Sequence, residues 1–224
     1  AIPEDKIQLS MVEGNGTAIV MKRPQYRLHK TLSVVKKNLI KIFPLVSEDF
    51  AIHIIRDGKE EIIARIDDSY ASQLCSIITL GDDFAYLADL VPNQFPNIRD
   101  SVVSVRPEYS EPITMTNNNG EEKEYHLKIT GWIGTYETTK GRKTDILDFP
   151  DNFISLYANK KMGEFNILPR VGQNKMNESY VVGQLHVDLF ELSELPDMAL
   201  SNRQGYKTDD ERYIVVEKYV RETL

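Results

Sequence analysis

The stretch Glu124–Glu137, EYHLKITGWIGTYE, alternates apolar and polar side chains strongly enough to read as one long strand, and that reading sets the fold class. Strand side chains point to opposite faces in turn, so Tyr125, Leu127 and Ile129 share one face while His126 and Lys128 share the other. Inside it, Gly131–Thr135 (GWIGT) is superficially like a glycine-rich phosphate loop. It sits in the middle of an alternating strand rather than before a helix, so close packing or a bulge explains its glycines better.

Downstream, TTKGRKTD breaks the alternation with a basic loop, and NFISLYANKKM, FNILPRV and the long strand candidate ESYVVGQLHVDLFE come after it. The closing run DDERYIVVEKYVRETL puts Tyr213, Val216 and Val220 on one helical face, with Asp209 and Asp210 where carboxylates favour a helix N-terminus. Upstream, Pro92–Gly120 is rich in Pro and Asn and reads as an insertion or boundary, with Ser101–Val105 as a short strand and Asn119-Gly120 as a tight turn. Asp67–Val91 is ambiguous: SYASQLCSIITL is a short helix or a buried strand, DDFAYLADLV a helical turn or two, and helix is favoured. FAIHII, RDGK and EEIIARI predict two strands joined at Asp57-Gly58. From Tyr26, Leu28, Leu32, Val35, Leu39 and Ile42 or Phe43 recur at helical spacing, with Lys30, Lys36, Lys37 and Lys41 off the stripe, so an amphipathic helix ends before Pro44. GNGTAIVMKRP offers a turn and a short strand, Ala18–Met21, stopped by Pro24. Strands in series with a few helices predict an α+β fold, a mixed β-sheet packed with helices, and no internal repeat is visible.

Composition bounds the function. The 224 residues, 41% hydrophobic, suffice for one large domain or two small ones with a real core. A formal charge of −7 argues against a surface that is basic throughout, so nucleic acid is not an obvious direct partner. One cysteine, Cys75, excludes an internal disulfide framework and fits a reducing, cytoplasmic setting, with a small buried hydrophobe as its expected role. No apolar run approaches the roughly 18 residues of a membrane span, and no signal pattern opens the chain, so no membrane partner is expected. The first residue is Ala rather than Met, and the chain reads as an excised fragment.

Self-contained catalysis finds little support. His29, His53, His126 and His186 show no metal-ligand spacing with one another or with Cys75, so no metal site is proposed and each reads as a surface or satisfied strand residue. There is no phosphate-binding G-x-x-x-x-G-K-[ST] loop. The pairs Glu60-Glu61, Asp82-Asp83 and Asp209-Asp210 are adjacent in sequence, which points their side chains apart, and they read as solvated faces or caps.

What remains is an ordered set: ISLYANKKMGEFNIL, then YVVGQLHVDLFE, then NRQGYKTDDERY. It resembles the transducer, or middle, domain of GHKL-type ATPases, especially the MORC-like, mismatch-repair-like group. In those proteins a strand with a basic tip precedes a Gly-centred strand and a loop of the form N-K-Q-x-F that leads into a helix. Asn202, Arg203, Gln204 and Tyr206 match that loop, Ala158–Lys161 (ANKK) takes the basic position, and GNGTAIVM resembles the last strand of the nucleotide-binding domain.

The resemblance implies 1–24 as a remnant of the nucleotide-binding domain and 125–224 as a transducer-like, βαβ-containing region; between them, pattern and composition give 25–91 as a helix plus β-hairpin subdomain and 92–124 as an insertion or boundary. It implies that Gly16 and Thr17 line an ATP pocket and that Arg203, in the place of the family's lysine, reaches the γ-phosphate held by the neighbouring domain, while Gln204 orients a water or a phosphate oxygen. Arginine suits that task because it never deprotonates and can donate two parallel hydrogen bonds. The alternative role for Arg203 is a solvent-exposed loop residue paired with Asp209 or Asp210. The family's E-x-x-x-N and D-x-G-x-G segments are missing from this chain, so ATP and Mg²⁺ are expected to act only in the full-length protein and the fragment alone to be inactive. Its expected partners are its own N-terminal ATPase domain, a second copy in a homodimer, and DNA through other regions. A reading of a different class is a non-catalytic protein-interaction module that uses the 92–124 segment.

Overall fold

The structure, a computed structural model, describes residues 32–43, 52–56, 59–63, 65–97, 100–142, 150–172 and 176–224. The chain divides into two compact units, 1–35 and 36–224; only the start of a helix, residues 32–35, is described in the first, and every described strand belongs to the second. The expected Ala18–Met21 strand lies outside the described residues, as do Asp57 and Gly58.

The long alternating stretch is β6, Glu122–Tyr136, and the sheet is organised around it. Its first half pairs antiparallel with β5 (Tyr109–Thr116) from Glu122 to Ile129. Its second half lies between β3 (Leu74–Leu80) and β9 (Val181–His186), antiparallel to both. Beyond β3 runs β4 (Val102–Arg106), and beyond β9 run β7 (Phe153–Ala158) and β8 (Lys161–Glu164), giving the order β4-β3-β6-β9-β7-β8 with β5 on β6. The β3/β4 and β7/β9 pairs are parallel, so the seven-stranded sheet is mixed. The β7-to-β9 crossover carries β8 and the short α5, Leu168–Val171. The expected two strands form a separate antiparallel pair, β1 (Ile52–Arg56) and β2 (Lys59–Ile63), whose register ends at Arg56 opposite Lys59.

Helices cover both faces of the sheet, which is why the clean alternation of β6 ends near Thr130 and both faces are buried thereafter. One face carries Leu127, Ile129, Ile133, Leu156 and Leu185 against α6 (Glu211–Thr223) and α5. The other carries Trp132, Tyr136, Phe153 and Val182 against Ile40 of α1 (Leu32–Ile42), Tyr70 of α2 (Asp68–Ala71), Phe84 of α3 (Asp82–Ala85) and Leu87 of α4 (Leu87–Leu90). The last carbonyls of α1, which have no partner inside a helix, are met from the sheet: Gln184 Nε2 donates to Ile40 O at 2.9 Å, and the Tyr157 hydroxyl to Lys41 O and Ile42 O at 3.3 Å. Lys41, in the same turn, forms a buried ion pair with Asp151 at 2.5 Å.

Several expectations are corrected. The favoured helix across SYASQLCSIITL is limited to Asp68–Ala71; Leu74–Leu80 is a strand, because β-branched Ile77, Ile78 and Thr79 fit a place between β4 and β6. The Pro/Asn-rich segment supplies β4 and β5 to the main sheet, joined to β6 by a turn in which Gly120 has φ 80°. The long strand candidate shortens to Val181–His186, flanked by 3₁₀ turns at Met176–Tyr180 and Asp188–Glu191. Cys75 is half-buried, its Sγ 3.5 Å from the Thr135 hydroxyl. The GWIGT glycines are explained by packing: at Gly131, where φ is +130°, a Cβ would lie 2.1 Å from Gln184 O, and at Gly134 one would lie 2.7 Å from Ser76 O. The closing helix forms as expected, with Asp210 as its N-cap and Tyr213, Val216 and Val220 buried. No described helix is long and apolar enough to cross a membrane.

Candidate functional site

Two hairpin-like turns and one wall define a cleft of about 700 Å³. The first turn is ANKK: Asn159 (φ 49°) and Lys160 (φ 61°) are both left-handed, the backbone of a two-residue turn that lets β7 and β8 succeed each other directly. Asn159 N–H donates to Asp188 Oδ1 at 2.7 Å, and Lys161 opens β8. The second turn lies beyond the short antiparallel bridge between Ala199 and Tyr206. Leu200 N–H donates to Gly205 O and Arg203 N–H to Leu200 O, while Asn202 Oδ1 accepts from Gln204 N–H, so the backbone of this loop is closed on itself. Arg203 adopts φ 55°, which puts it at the tip.

The wall is residues 189–197, held from both sides. Arg212 of α6 is fully buried and grips the Asp210 carboxylate through Nε and Nη2, at 2.8 and 2.7 Å. Its remaining donors reach Leu189 O and Pro196 O at 3.2 and 2.8 Å. Burial of Asp210 opposes its ionisation, but the hydrogen bonds and charge of Arg212 outweigh this and leave the carboxyl below its ordinary value. From the β5–β6 turn, Asn118 Nδ2 donates to Ser193 O and Leu195 O, both at 3.1 Å. The Asn-rich run thus anchors the cleft wall.

Arg203, Lys161, Asp197, Asn118, Phe190 and Tyr206 are among the lining residues. Arg203 does not pair with Asp209 or Asp210. Its Nη2 lies 3.2 Å from Asp197 Oδ2, both side chains being mostly exposed, while Asp210 pairs with Arg212. Asp197 is itself fixed, Oδ1 accepting from Ala199 N–H at 2.9 Å and its carbonyl from Lys207 Nζ at 2.7 Å. Gln204 is exposed and lies outside the lining, and Gly16 and Thr17 lie outside the described residues. The matching aromatic Tyr206 is a core residue, edge-on to Phe190 at 4.8 Å. Its hydroxyl, tucked against Gly163 and without a hydrogen-bond partner, is kept protonated by burial and by the charges of Glu191, Glu164 and Asp197.

Burial raises the Glu164 carboxyl beside it, against hydrogen bonds from the Tyr213 hydroxyl and Tyr206 N–H and the charge of Arg170. His186 is not the satisfied strand residue expected: its ring lies between Tyr157 and Phe84, Nε2 has no partner, and burial lowers its pKa to about 4 against the opposing charge of Asp188. His53 pairs with Glu60 at 2.6 Å on the exposed hairpin, and His126 is exposed. Among the described residues no group of three His, Cys, Asp or Glu side chains is placed to hold a metal. Asp197, Arg212 and Asn118 were missed as site residues from sequence. Asn118, beside the Asn119-Gly120 turn, and Asp197, next to Pro196, each carry a local turn signal, whereas Arg212 carries none.

No protein-family model matches the chain, and no solved structure matches it. Over 95 residues, 42% of its length, it is 30% identical to the "Putative type II restriction enzyme HgiDII" of Herpetosiphon aurantiacus. The matched stretch spans 15% of that protein.

Proposed function

We propose that this chain is the transducer part of a GHKL-type ATPase, which places Arg203 against the γ-phosphate of ATP held by an N-terminal domain of the same protein. The observation that carries the reading is the cleft: the two segments on which the resemblance rests, the ANKK tip and the Asn202–Tyr206 loop, open onto one cavity that Lys161 and Arg203 both line. A guanidinium at a loop tip, on a backbone closed by its own hydrogen bonds, can move from Asp197 to a phosphate by side-chain rotation alone. The charge on terminal phosphate oxygens is what such a group stabilises during phosphoryl transfer. Mg²⁺, like ATP itself, belongs to the proposal for the full-length protein. The likeness over part of the chain to a protein named as a putative restriction enzyme is in keeping with a setting in DNA maintenance or defence. DNA contacted through other regions and a dimer are part of the same proposal.

The test is ATP turnover by the full-length protein, wild type against Arg203→Ala, with binding of a non-hydrolysable ATP analogue monitored in parallel. Turnover falls by about one to three orders of magnitude while the analogue still binds within about tenfold. Unchanged turnover refutes the role. The interaction-module reading then leads, and one observation favours it: edge strand β4 leaves Val102, Val103 and Val105 exposed.

A further inference from the structure

We infer that Lys161 is the second cation of a two-point phosphate clamp, acting with Arg203 at the same cleft. The inference rests on the proposal that a nucleotide phosphate reaches this cavity. The two cations start from different states. Arg203 is neutralised by Asp197 at 3.2 Å, whereas Lys161, exposed at the start of β8, makes no ion pair among the described residues although it lines the same cavity.

Placement favours a shared ligand. Lys161 comes directly after a turn locked by two left-handed residues and by Asn159 N–H on Asp188, and Arg203 sits on a loop closed by its own hydrogen bonds, so both backbones are fixed and only the side chains adjust. The cavity, about 700 Å³, is of a size that takes a nucleotide-sized group. Glu191 and Asp197 also line it, so its four charges cancel, and a singly charged anion gains little there. A terminal phosphate with about two negative charges is different: it meets the unpaired ammonium first and then competes with one exposed carboxylate for the guanidinium. The clamp therefore distinguishes a nucleoside triphosphate from a diphosphate, whose last phosphate lies one unit short. Tyr206, buried with its hydroxyl unpartnered against Gly163 of β8 and bridged to Ala199, joins the strand that follows Lys161 to the loop that carries Arg203.

The experiment measures, in the full-length protein, the affinity of a non-hydrolysable ATP analogue and of ADP for wild type, Lys161→Met, Lys161→Arg and Arg203→Ala, with thermal melting of each variant to establish folding. Lys161→Met lowers the preference for the analogue over ADP by about three- to tenfold and leaves ADP affinity within about twofold, as expected for a partly exposed charge-assisted contact. Lys161→Arg keeps the preference within about twofold because the charge is retained. If Arg203→Ala lowers the preference and Lys161→Met does not, Lys161 is a solvated rim residue and the clamp is overturned while the transducer reading stands. If neither variant changes the preference, both fall. Loss of ADP and analogue affinity in equal measure on Lys161→Met also overturns the clamp, since a terminal-phosphate contact cannot weaken a ligand that lacks that phosphate.

Discussion

Gly131→Ala is the sharpest test of whether GWIGT is a packing device or a phosphate loop. Gly131 sits opposite Leu185 in the β6–β9 ladder with φ +130°, and a Cβ there would meet Gln184 O at 2.1 Å and Leu185 Cα at 3.0 Å. The backbone conformation alone costs about 1–2 kcal/mol for an L-residue. Relief of the contact requires β9 to retreat by about 1 Å, which weakens roughly two ladder hydrogen bonds at about 1 kcal/mol each. Leu185 is fully buried, and shifting it within a packed core adds about 1–2 kcal/mol. The restricted unfolded chain returns less than about 1 kcal/mol, leaving roughly 4–5 kcal/mol of destabilisation. Gly141 is the control: its φ is +77°, yet nothing lies within 4 Å of an added Cβ, so the same substitution costs about 1 kcal/mol. Urea unfolding monitored by the fluorescence of Trp132, which neighbours Gly131, reads both variants. At about 2–4 °C per kcal/mol for a chain of this size, melting should fall by roughly 8–20 °C for Gly131→Ala and a few degrees for Gly141→Ala. A Gly131→Ala protein as stable as Gly141→Ala refutes the packing argument. If it also bound nucleotide more weakly, the glycine-rich-loop reading would return.

Because the folded pKa of His186 is depressed to about 4, below the ordinary 6.5, its stabilising contribution is present above pH 6.5 and is lost as the pH falls toward 4, an effect on the order of 3 kcal/mol. His186→Phe keeps a ring between Tyr157 and Phe84 and should flatten the acid limb of melting temperature against pH over that window; an unaltered limb assigns the loss to other groups. Arg212→Met strands the Asp210 carboxylate and two carbonyls and should cost about 3–5 kcal/mol in denaturant unfolding. Arg212→Lys should recover only part of that, since one ammonium cannot reproduce the planar fork. Asp197→Asn keeps the oxygen that accepts from Ala199 N–H while removing the charge that holds Arg203. Turnover at sub-saturating ATP should rise about two- to fivefold at low salt and less at high salt, the range expected for an exposed pair. No change at low salt would mean that Asp197 does not hold Arg203 back.

The fold was legible wherever one face of an element met water. The first half of β6 and the buried face of α6 come from period, while the β1–β2 hairpin and the end of α1 come from period together with the Asp57-Gly58 pair and Pro44. Leu74–Leu80 was not legible because it is paired on both edges and largely shielded: an apolar run without a regular polar face carries no period, and the strand preference of Ile77, Ile78 and Thr79 was the one local signal to weigh against a helix. The Pro92–Gly120 segment misled for a related reason. Its prolines and asparagines mark real turns, yet Pro112 itself lies within β5, which pairs with β6 alone, where the sheet does not need that residue's N–H on its outer side.

Arg203 and Arg212 show why the site was harder to read than the fold. Both stand in a run of polar and charged residues, and nothing local separates them; if anything, Arg212 beside Asp209, Asp210 and Glu211 reads as the solvated charge. The structure reverses the ranking. The N-cap geometry of Asp210 directs its carboxylate back along the first turn of α6, where the residue two places on collects it, and burying that pair gives Arg212 two further carbonyls to satisfy. Asp210 is taken by Arg212, and Arg203 has its partner at the other end of the loop, at Asp197. Whether the hold on Arg212 also sets the partner of Arg203 is open to a direct test. Arg212→Met, by freeing Asp210, should give Arg203 a second acid to pair with and should lower the analogue-over-ADP preference, even though Arg212 lines no part of the cavity. A folded Arg212→Met protein with the wild-type preference would show that the two arginines are uncoupled, and that Arg203 stays at the cleft for reasons local to its own loop.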